Sequence, residues 1–334
     1  MHVSVIIPNR NGGATLARCL TAALASRHPR FEVTVVDDNS QDDSLEVIRR
    51  FPCRLIRLPR HSGAAAARNA GARHARGEIL FFIDADCLLP PDALTRVCEN
   101  LDMFGPKTAL GGTYTPIPGD ALFFSRFQSV FIHYGETKHA GDPDYLATHA
   151  LALRAETFHR CHGFDENVRP ILEDVEFSHR LRRAGILLVL DPALQVRHIF
   201  NYSFRRSLKN AFTKSRYWTR YSLANHDLLA DSGTASHELK INVTAYLVCT
   251  LLLLAGLLTG QYALLGSIAV VQVANLWFNR GLLADFRAAG GRGFAVAASA
   301  YYALVYPIAV GFGALVGAAG LGMRLAPVRR VAPR

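Results

Sequence analysis

Two carboxylates one residue apart, Asp84 and Asp86, close the apolar run Gly77-Glu78-Ile79-Leu80-Phe81-Phe82-Ile83. Acids at the end of a buried strand are costly to desolvate, so they mark either a functional edge or a solvated turn. The carboxyl edge of an open α/β sheet is where ligands bind, and two acids there suit a hard divalent cation that holds phosphate oxygens. Other polar groups occupy comparable places. Asp37 and Asp38 end a second β-branched run, where either could accept hydrogen bonds from a base or ribose, or serve equally well as a turn or N-cap residue. Arg68, beside Asn69 in an alanine-rich helical stretch, offers a guanidinium to a diphosphate or to solvent. Glu173 and Asp174 open the amphipathic run of Val175, Phe177 and Leu181, a position that stabilises a carboxylate whether or not it does chemistry. The segment Asn9-Arg10-Asn11-Gly12-Gly13 fits neither GxxxxGKS nor GxGxxG. Phosphate would therefore be held mainly through a metal and an arginine.

These residues need strands and helices to place them. Val3 to Pro8, Phe31 to Val36 and Cys53 to Leu58 read as strands, each followed by a helical pattern: Leu16, Cys19, Leu20 and Ala23 first, then Leu45, Val47 and Ile48, then an alanine-rich helix capped by Ser62. The strand before Asp84 is followed by a helix opened by Pro90-Pro91-Asp92. This alternation predicts an α/β fold, a Rossmann-like, mostly parallel sheet with helices on both faces, and it gathers the polar strand ends on one edge.

Composition bounds the function. The chain has 334 residues, a formal charge of +10, 50% hydrophobic and 19% charged residues. Its Arg and Lys residues lie beside apolar segments, which favours an anionic membrane surface over nucleic acid. The six cysteines form no CxxC pair and read as free thiols in a reducing compartment. His159, Cys161 and His162 lack a second ligand pair at finger-like spacing. The start has no basic region before its apolar run and no cleavage-site pattern, so export of the N-terminus is not expected.

The segments 3–8, 35–40, 67–71 and 83–86 resemble, in order, the signatures of family 2 glycosyltransferases with the GT-A fold. The likeness continues through Thr148-His149-Ala150, Gly163-Phe164-Asp165-Glu166, Leu172-Glu173-Asp174-Val175-Glu176 and Val196-Arg197-His198. It implies a nucleotide-sugar donor held by Pro8, Asn9, Asp37, Asp38, Arg68 and Asp84. It also implies Mg²⁺ or Mn²⁺ bound by Asp86 and His198, Asp174 as general base, and Glu173 and His149 on the acceptor side. A base facing the departing diphosphate predicts inversion at the anomeric carbon. Gln-x-x-Arg-Trp, which holds the growing polymer in processive members, does not occur here, so a single transfer is expected. The family's Gly-Gly-Phe-Asp is altered to His162-Gly163-Phe164-Asp165.

The last third reads as membrane-seeking. Residues 1–202 are expected to form the GT-A domain and 203–240 a basic amphipathic interfacial helix and linker, on the spacing of Phe204, Leu208, Ala211, Phe212 and Trp218; packing of that helix on the GT-A domain is the alternative. Residues 241–323 are expected to hold spans at about 241–258, 262–278 and 294–321, the last kinked at Pro307 or folded back as a re-entrant hairpin. A basic tail, 324–334, follows. Placing the GT-A domain in the cytoplasm puts Arg280, Arg287 and Arg292 on the cytoplasmic side of a multi-pass protein of the cytoplasmic membrane. Gln272 and Asn275 permit a homo-oligomer. The expected function is transfer of a sugar to a lipid or glycan acceptor. The alternatives are a non-catalytic nucleotide-sugar-binding subunit of a polysaccharide synthase and a sugar-phosphate nucleotidyltransferase.

Overall fold

A computed structural model describes residues 1–168 and 170–320. Its strands are β1 (Val3–Asn9), β2 (Phe31–Asp37), β3 (Arg54–Arg57), β4 (Ile79–Phe82), β5 (Cys87–Leu88), β6 (Thr108–Tyr114), β7 (Leu151–Arg154) and β8 (Leu187–His198). Its helices are α1 (Gly13–Leu24), α2 (Ser44–Arg49), α3 (Ala64–His74), α4 (Ala93–Phe104), α5 (Phe123–Thr137), α6 (Ala155–Arg160), α7 (Glu173–Arg183), α8 (Phe204–Asn225), α9 (His237–Thr259), α10 (Ala263–Phe278), α11 (Arg280–Ala300) and α12 (Tyr306–Ala319). They divide into two compact units: Met1–Ala121 with Glu136–Asn201, and Leu122–Gly135 with the described residues from Tyr202 on.

The first unit carries one sheet in the order β3-β2-β1-β4-β7-β6-β8-β5. The first four strands in that order run parallel, as expected from βα repeats, while β7 is antiparallel to both β4 and β6, which makes the sheet mixed. β1 and β4 are largely apolar and buried on both faces, and every residue of β4 is buried. On one side α1 buries Leu16, Cys19, Leu20 and Ala23, a single helical stripe. α3 is alanine-rich for a steric reason: a Cβ on its Gly71 would lie 2.4 Å from Ile6 Cγ2 in β1. Small side chains let this helix press against the strands that end in the polar edge. Under the other half of the sheet, Phe82, Phe158, Phe164 and Phe177 pack ring against ring at 4.8–5.5 Å. Each fully buried phenylalanine contributes on the order of 2–3 kcal/mol.

Ser62 does not cap α3. The N-cap is Gly63, at φ 93°, and the Ser62 hydroxyl donates to the Arg60 carbonyl instead. A positive φ at that turn favours glycine over serine.

The second unit is helical. α8 lies along α12, with Gly313 and Gly317 seated on the backbone of Phe212 and Arg216. Its apolar residues therefore have a helical partner within their own unit. α9 and the run Arg280–Ala319 are long and apolar enough to cross a membrane, whereas α10, with 16 residues, is shorter. The long run departs from regular α-helix twice. Gly291 is non-helical at φ 75°, and Tyr301–Val305 widen into a π-turn just before Pro307. Proline supplies no N–H to the preceding turn and crowds its carbonyl, which the wider turn accommodates. Where a kink at Pro307 is expected, the helix widens over the residues just before it. Residue 321, at the end of the expected third span, and the basic tail lie outside the described residues. Asn242, Asn275 and Asn279 are buried and hydrogen-bonded in series at 2.9 and 3.0 Å, and the Tyr302 hydroxyl donates to Asn279 at 3.0 Å.

Candidate active site

The polar edge is assembled by β1, β2 and β4, whose carboxyl ends point the same way because the strands are parallel. Pro8 and Asn9 end β1 opposite Val36 and Asp37 of β2. Asn9 Nδ2 donates to Asp37 Oδ1 and Ser40 Oγ, both at 3.2 Å, while its own Oδ1 is buried without a partner. Asp37 also accepts the Ser40 N–H at 3.2 Å. Asp38 holds the start of α3: it accepts the N–H groups of Ser62 at 2.6 Å and Gly63 at 2.9 Å, and it pairs with His61 at 2.7 Å. A carboxylate beside a helix N-terminus is favoured by the helix dipole. The two aspartates thus act first as rigid joints between strand ends and loops.

Arg68 sits at the centre. It projects from α3, is 4% exposed, and donates Nη2 to Asp84 Oδ1 at 2.8 Å and Nη1 to Glu173 Oε1 at 2.7 Å. The guanidinium expected to face a diphosphate is committed to two carboxylates, with Nε left over and the Phe164 ring 5.8 Å away. Burial works against charge on Asp84, but Arg68, and after it His149, hold its carboxyl below the ordinary carboxylate range. Burial pushes the Glu173 carboxyl up, reinforced by Asp174 and opposed by Arg68. Glu173 and Asp174 open α7 directly after Leu172, a buried non-glycine residue at φ 81°. Such a backbone costs on the order of 1–3 kcal/mol and persists only where its surroundings enforce it. Asp174 is partly exposed, and its Oδ1 accepts the Val175 N–H at 2.9 Å.

Asp86 and His198 come together although 112 positions separate them. Antiparallel pairing of β5 with β8 sets Cys87 opposite His198, and Asp86 Oδ1 then lies 3.2 Å from His198 Nε2. The His198 ring stacks on Phe200 at 3.8 Å and meets Tyr114 edge-on at 4.9 Å. The opposite face of this aromatic group is His149, stacked on Tyr114 at 3.9 Å. His149 Nε2 lies 3.4 Å from Glu136 Oε2, a buried carboxylate that also accepts the Thr113 hydroxyl at 2.7 Å.

Three contributors were missed from sequence: Cys87, Tyr114 and Glu136. Cys87 directly follows the Asp84–Asp86 pair, which was signal enough. Tyr114 and Glu136 lie outside every motif. The altered His162-Gly163-Phe164-Asp165 segment is anchored to α3, since the Asn69 side chain exchanges hydrogen bonds with Phe164 N–H and C=O at 2.9 and 2.8 Å.

A divalent cation fits this edge. Asp86 and His198 each offer it one ligand atom, with Asp86 partly exposed and Asp84 nearby, and the Cys87 thiol lies within 4.8 Å of both. Such an ion would supply positive charge to a departing diphosphate.

Residues 4–161 match the family model described as Glycosyl transferase family 2. The succinoglycan biosynthesis protein ExoO of Rhizobium meliloti is 36% identical over 111 residues, 32% of this chain and 32% of that protein. The undecaprenyl-phosphate 4-deoxy-4-formamido-L-arabinose transferase of Edwardsiella ictaluri is 33% identical over 109 residues, 30% of this chain and 34% of that protein. The chain thus spans about a third of the length of the curated relatives it matches. The mannosyltransferase PcManGT of Pyrobaculum calidifontis, solved with GDP-Man and Mn²⁺, superposes with a TM-score of 0.58 over 96% of this chain and 87% of that one, at 19% identity. At that identity the likeness is one of fold, and the fold is GT-A-like.

Proposed function

We propose, for a chain whose residues 4–161 carry a family 2 glycosyltransferase domain, that the protein is a membrane-anchored, non-processive, inverting glycosyltransferase. It moves one sugar from a nucleoside-diphosphate donor to a lipid-linked or membrane-proximal hydroxyl. The observation that carries this reading is the Asp84–Arg68–Glu173 bridge, which ties the strand-end acids to the first residue of the helix that also holds Asp174. Donor edge and acceptor helix are thereby fixed relative to each other, the positioning that displacement at an anomeric carbon requires.

Each residue then has a task. Asn9, Asp37 and Asp38 frame the base and ribose, with the unpartnered Asn9 Oδ1 facing a donor group of the nucleoside. Asp86 and His198 hold Mg²⁺ or Mn²⁺ against the diphosphate. Asp174 takes the proton from the acceptor hydroxyl, while Glu173 and His149 line the acceptor side. Arg68 keeps Asp84 and Glu173 in place rather than clamping phosphate itself. Membrane attachment is supported by α9, where Leu247, Leu251, Leu254, Leu257 and Leu258 are exposed, and by a relative named for an undecaprenyl-phosphate substrate. The catalytic unit faces the cytoplasm, where nucleotide sugars are made.

The test screens nucleotide sugars for metal-dependent nucleoside diphosphate release by the detergent-solubilised chain with total membrane lipid. One donor should turn over. Asp174→Asn should bind that donor yet lose about 10²–10⁴-fold in kcat, the range for a general base, and Asp86→Asn should lose metal dependence. Donor binding without turnover in any lipid extract would overturn the assignment of Asp174.

A further inference from the structure

Cys87 places a thiol inside the edge just described. It follows Asp86 in β5, is fully buried, and lies opposite His198 in the β5–β8 register. Single ligand atoms of Asp86, Cys87 and His198 lie within 4.8 Å of one another, and the Asp86–His198 pair is at 3.2 Å. Around a tetrahedral zinc ion the ligand atoms stand roughly 3.5 Å apart, so this set has to close by roughly 1 Å to hold the ion. The chemistry of the set matters as much as its geometry. Mg²⁺ takes oxygen ligands and keeps its waters, and it gains little from a thiol. Carboxylate, imidazole and thiolate together suit borderline-soft Zn²⁺, with three protein ligands and an open fourth position.

We propose that Asp86, Cys87 and His198 form a Zn²⁺ site that overlaps the Mg²⁺ or Mn²⁺ position, so that Zn²⁺ displaces the activating ion and arrests transfer. Coordination by Cys87 releases its thiol proton to solvent. The arrest rests on the transferase reading given above; Zn²⁺ binding does not, because it is measured without substrate.

The experiment uses the metal-stripped, detergent-purified full chain. Co²⁺ serves as the optical probe, since a thiolate ligand adds an intense near-ultraviolet charge-transfer band. Zn²⁺ affinity is read by competition with a chromophoric chelator, and Mn²⁺ binding by electron paramagnetic resonance. The wild type should show the thiolate band. Cys87→Ser and Cys87→Ala should both lose it, weaken Zn²⁺ at least 10-fold, and change Mn²⁺ affinity less than 3-fold. Retained Mn²⁺ binding also shows that the variants are folded. His198→Ala should weaken both ions. A Co²⁺ spectrum without the band, or Cys87 variants that bind Zn²⁺ like wild type, would overturn the proposal and leave Cys87 as core packing. A chain that binds Zn²⁺ through Cys87 but turns over no sugar nucleotide would sink the transferase reading and leave this site standing.

Discussion

The Arg68 guanidinium donates to the Glu173 carboxylate at 2.7 Å across 105 positions of sequence, and its other arm reaches Asp84. Removing one partner of a buried pair costs about 3–5 kcal/mol, because the remaining charges are left uncompensated. Arg68→Met should therefore destabilise the first unit by roughly that amount and abolish transfer. Arg68→Lys should not rescue it, since a point charge cannot span two carboxylates as a planar fork does. Thermal unfolding of both variants, followed by donor binding, checks this. An Arg68→Lys protein with wild-type stability and rate would refute the bridging role.

His149 and Glu136 should behave as a unit. Glu136→Gln removes the charge at 3.4 Å from His149 Nε2 while leaving an acceptor for Thr113. Groups that orient a metal-bound histidine cost about 10–100-fold when lost, and the proposed acceptor-side role of His149 sets the same scale here. We expect Glu136→Gln and His149→Ala each to lower kcat about 10–100-fold, and the double variant to fall little further, as coupled neighbours do. Additive losses would mean that the two residues act separately.

How much of this was legible depended on distance along the chain. Asp84, Asp86, Glu173 and Asp174 were readable because each sits where an apolar period starts or stops, and strand alternation put the first pair on the ligand edge. Their arrangement was not readable. Nothing local says that Arg68 lies between Asp84 and Glu173, since the α3–α7 approach is fixed by the packing of Phe158, Phe164 and Phe177. Glu136 lies in the last turn of α5, in a stretch that carries no motif, and the same helix bears Phe123, Phe127 and Phe131. Those rings in fact pack in the helical unit, on Phe286, Phe294, Tyr301, Tyr302 and Tyr306. The expected first domain, 1–202, includes 122–135, whereas the structure groups them with the helices that follow residue 201.

Acid should loosen the first unit through Asp191. It pairs with Arg96 through Oδ1 at 3.0 Å and through the Arg96 Nε, and it accepts Asn100 Nδ2 at 3.0 Å. Burial opposes its charge, yet these bonds, Arg96 foremost, hold the carboxyl below its ordinary value. A depressed folded-state pKa gives stability that is present above the unfolded value, about 4, and lost as pH falls through the folded one. Asp191→Asn should therefore lower stability at neutral pH and flatten its fall below about pH 4. Unfolding scans at stepped pH measure this, and parallel curves for both proteins would contradict it.

The α8–α12 contact is the sharpest steric test. A Cβ on Gly313 would lie 2.4 Å from the Phe212 carbonyl oxygen, and one on Gly317 would lie 2.4 Å from the Arg216 oxygen, whereas nothing lies within 4 Å of a Cβ on Gly266. Backbone cannot yield as a flexible side chain can, so Gly313→Ala and Gly317→Ala must push the helices apart. Overpacking of this kind costs about 1–3 kcal/mol. Gly266→Ala, in the interior of α10, should be neutral or stabilising by up to about 1 kcal/mol, because alanine is the better helix former. The readout is thermal unfolding in one detergent, with wild type, Gly313→Ala, Gly317→Ala and Gly266→Ala side by side. If all three variants melt together, α8 does not rest on these glycines, and its apolar face is free to lie in the bilayer interface that its basic amphipathic pattern suits.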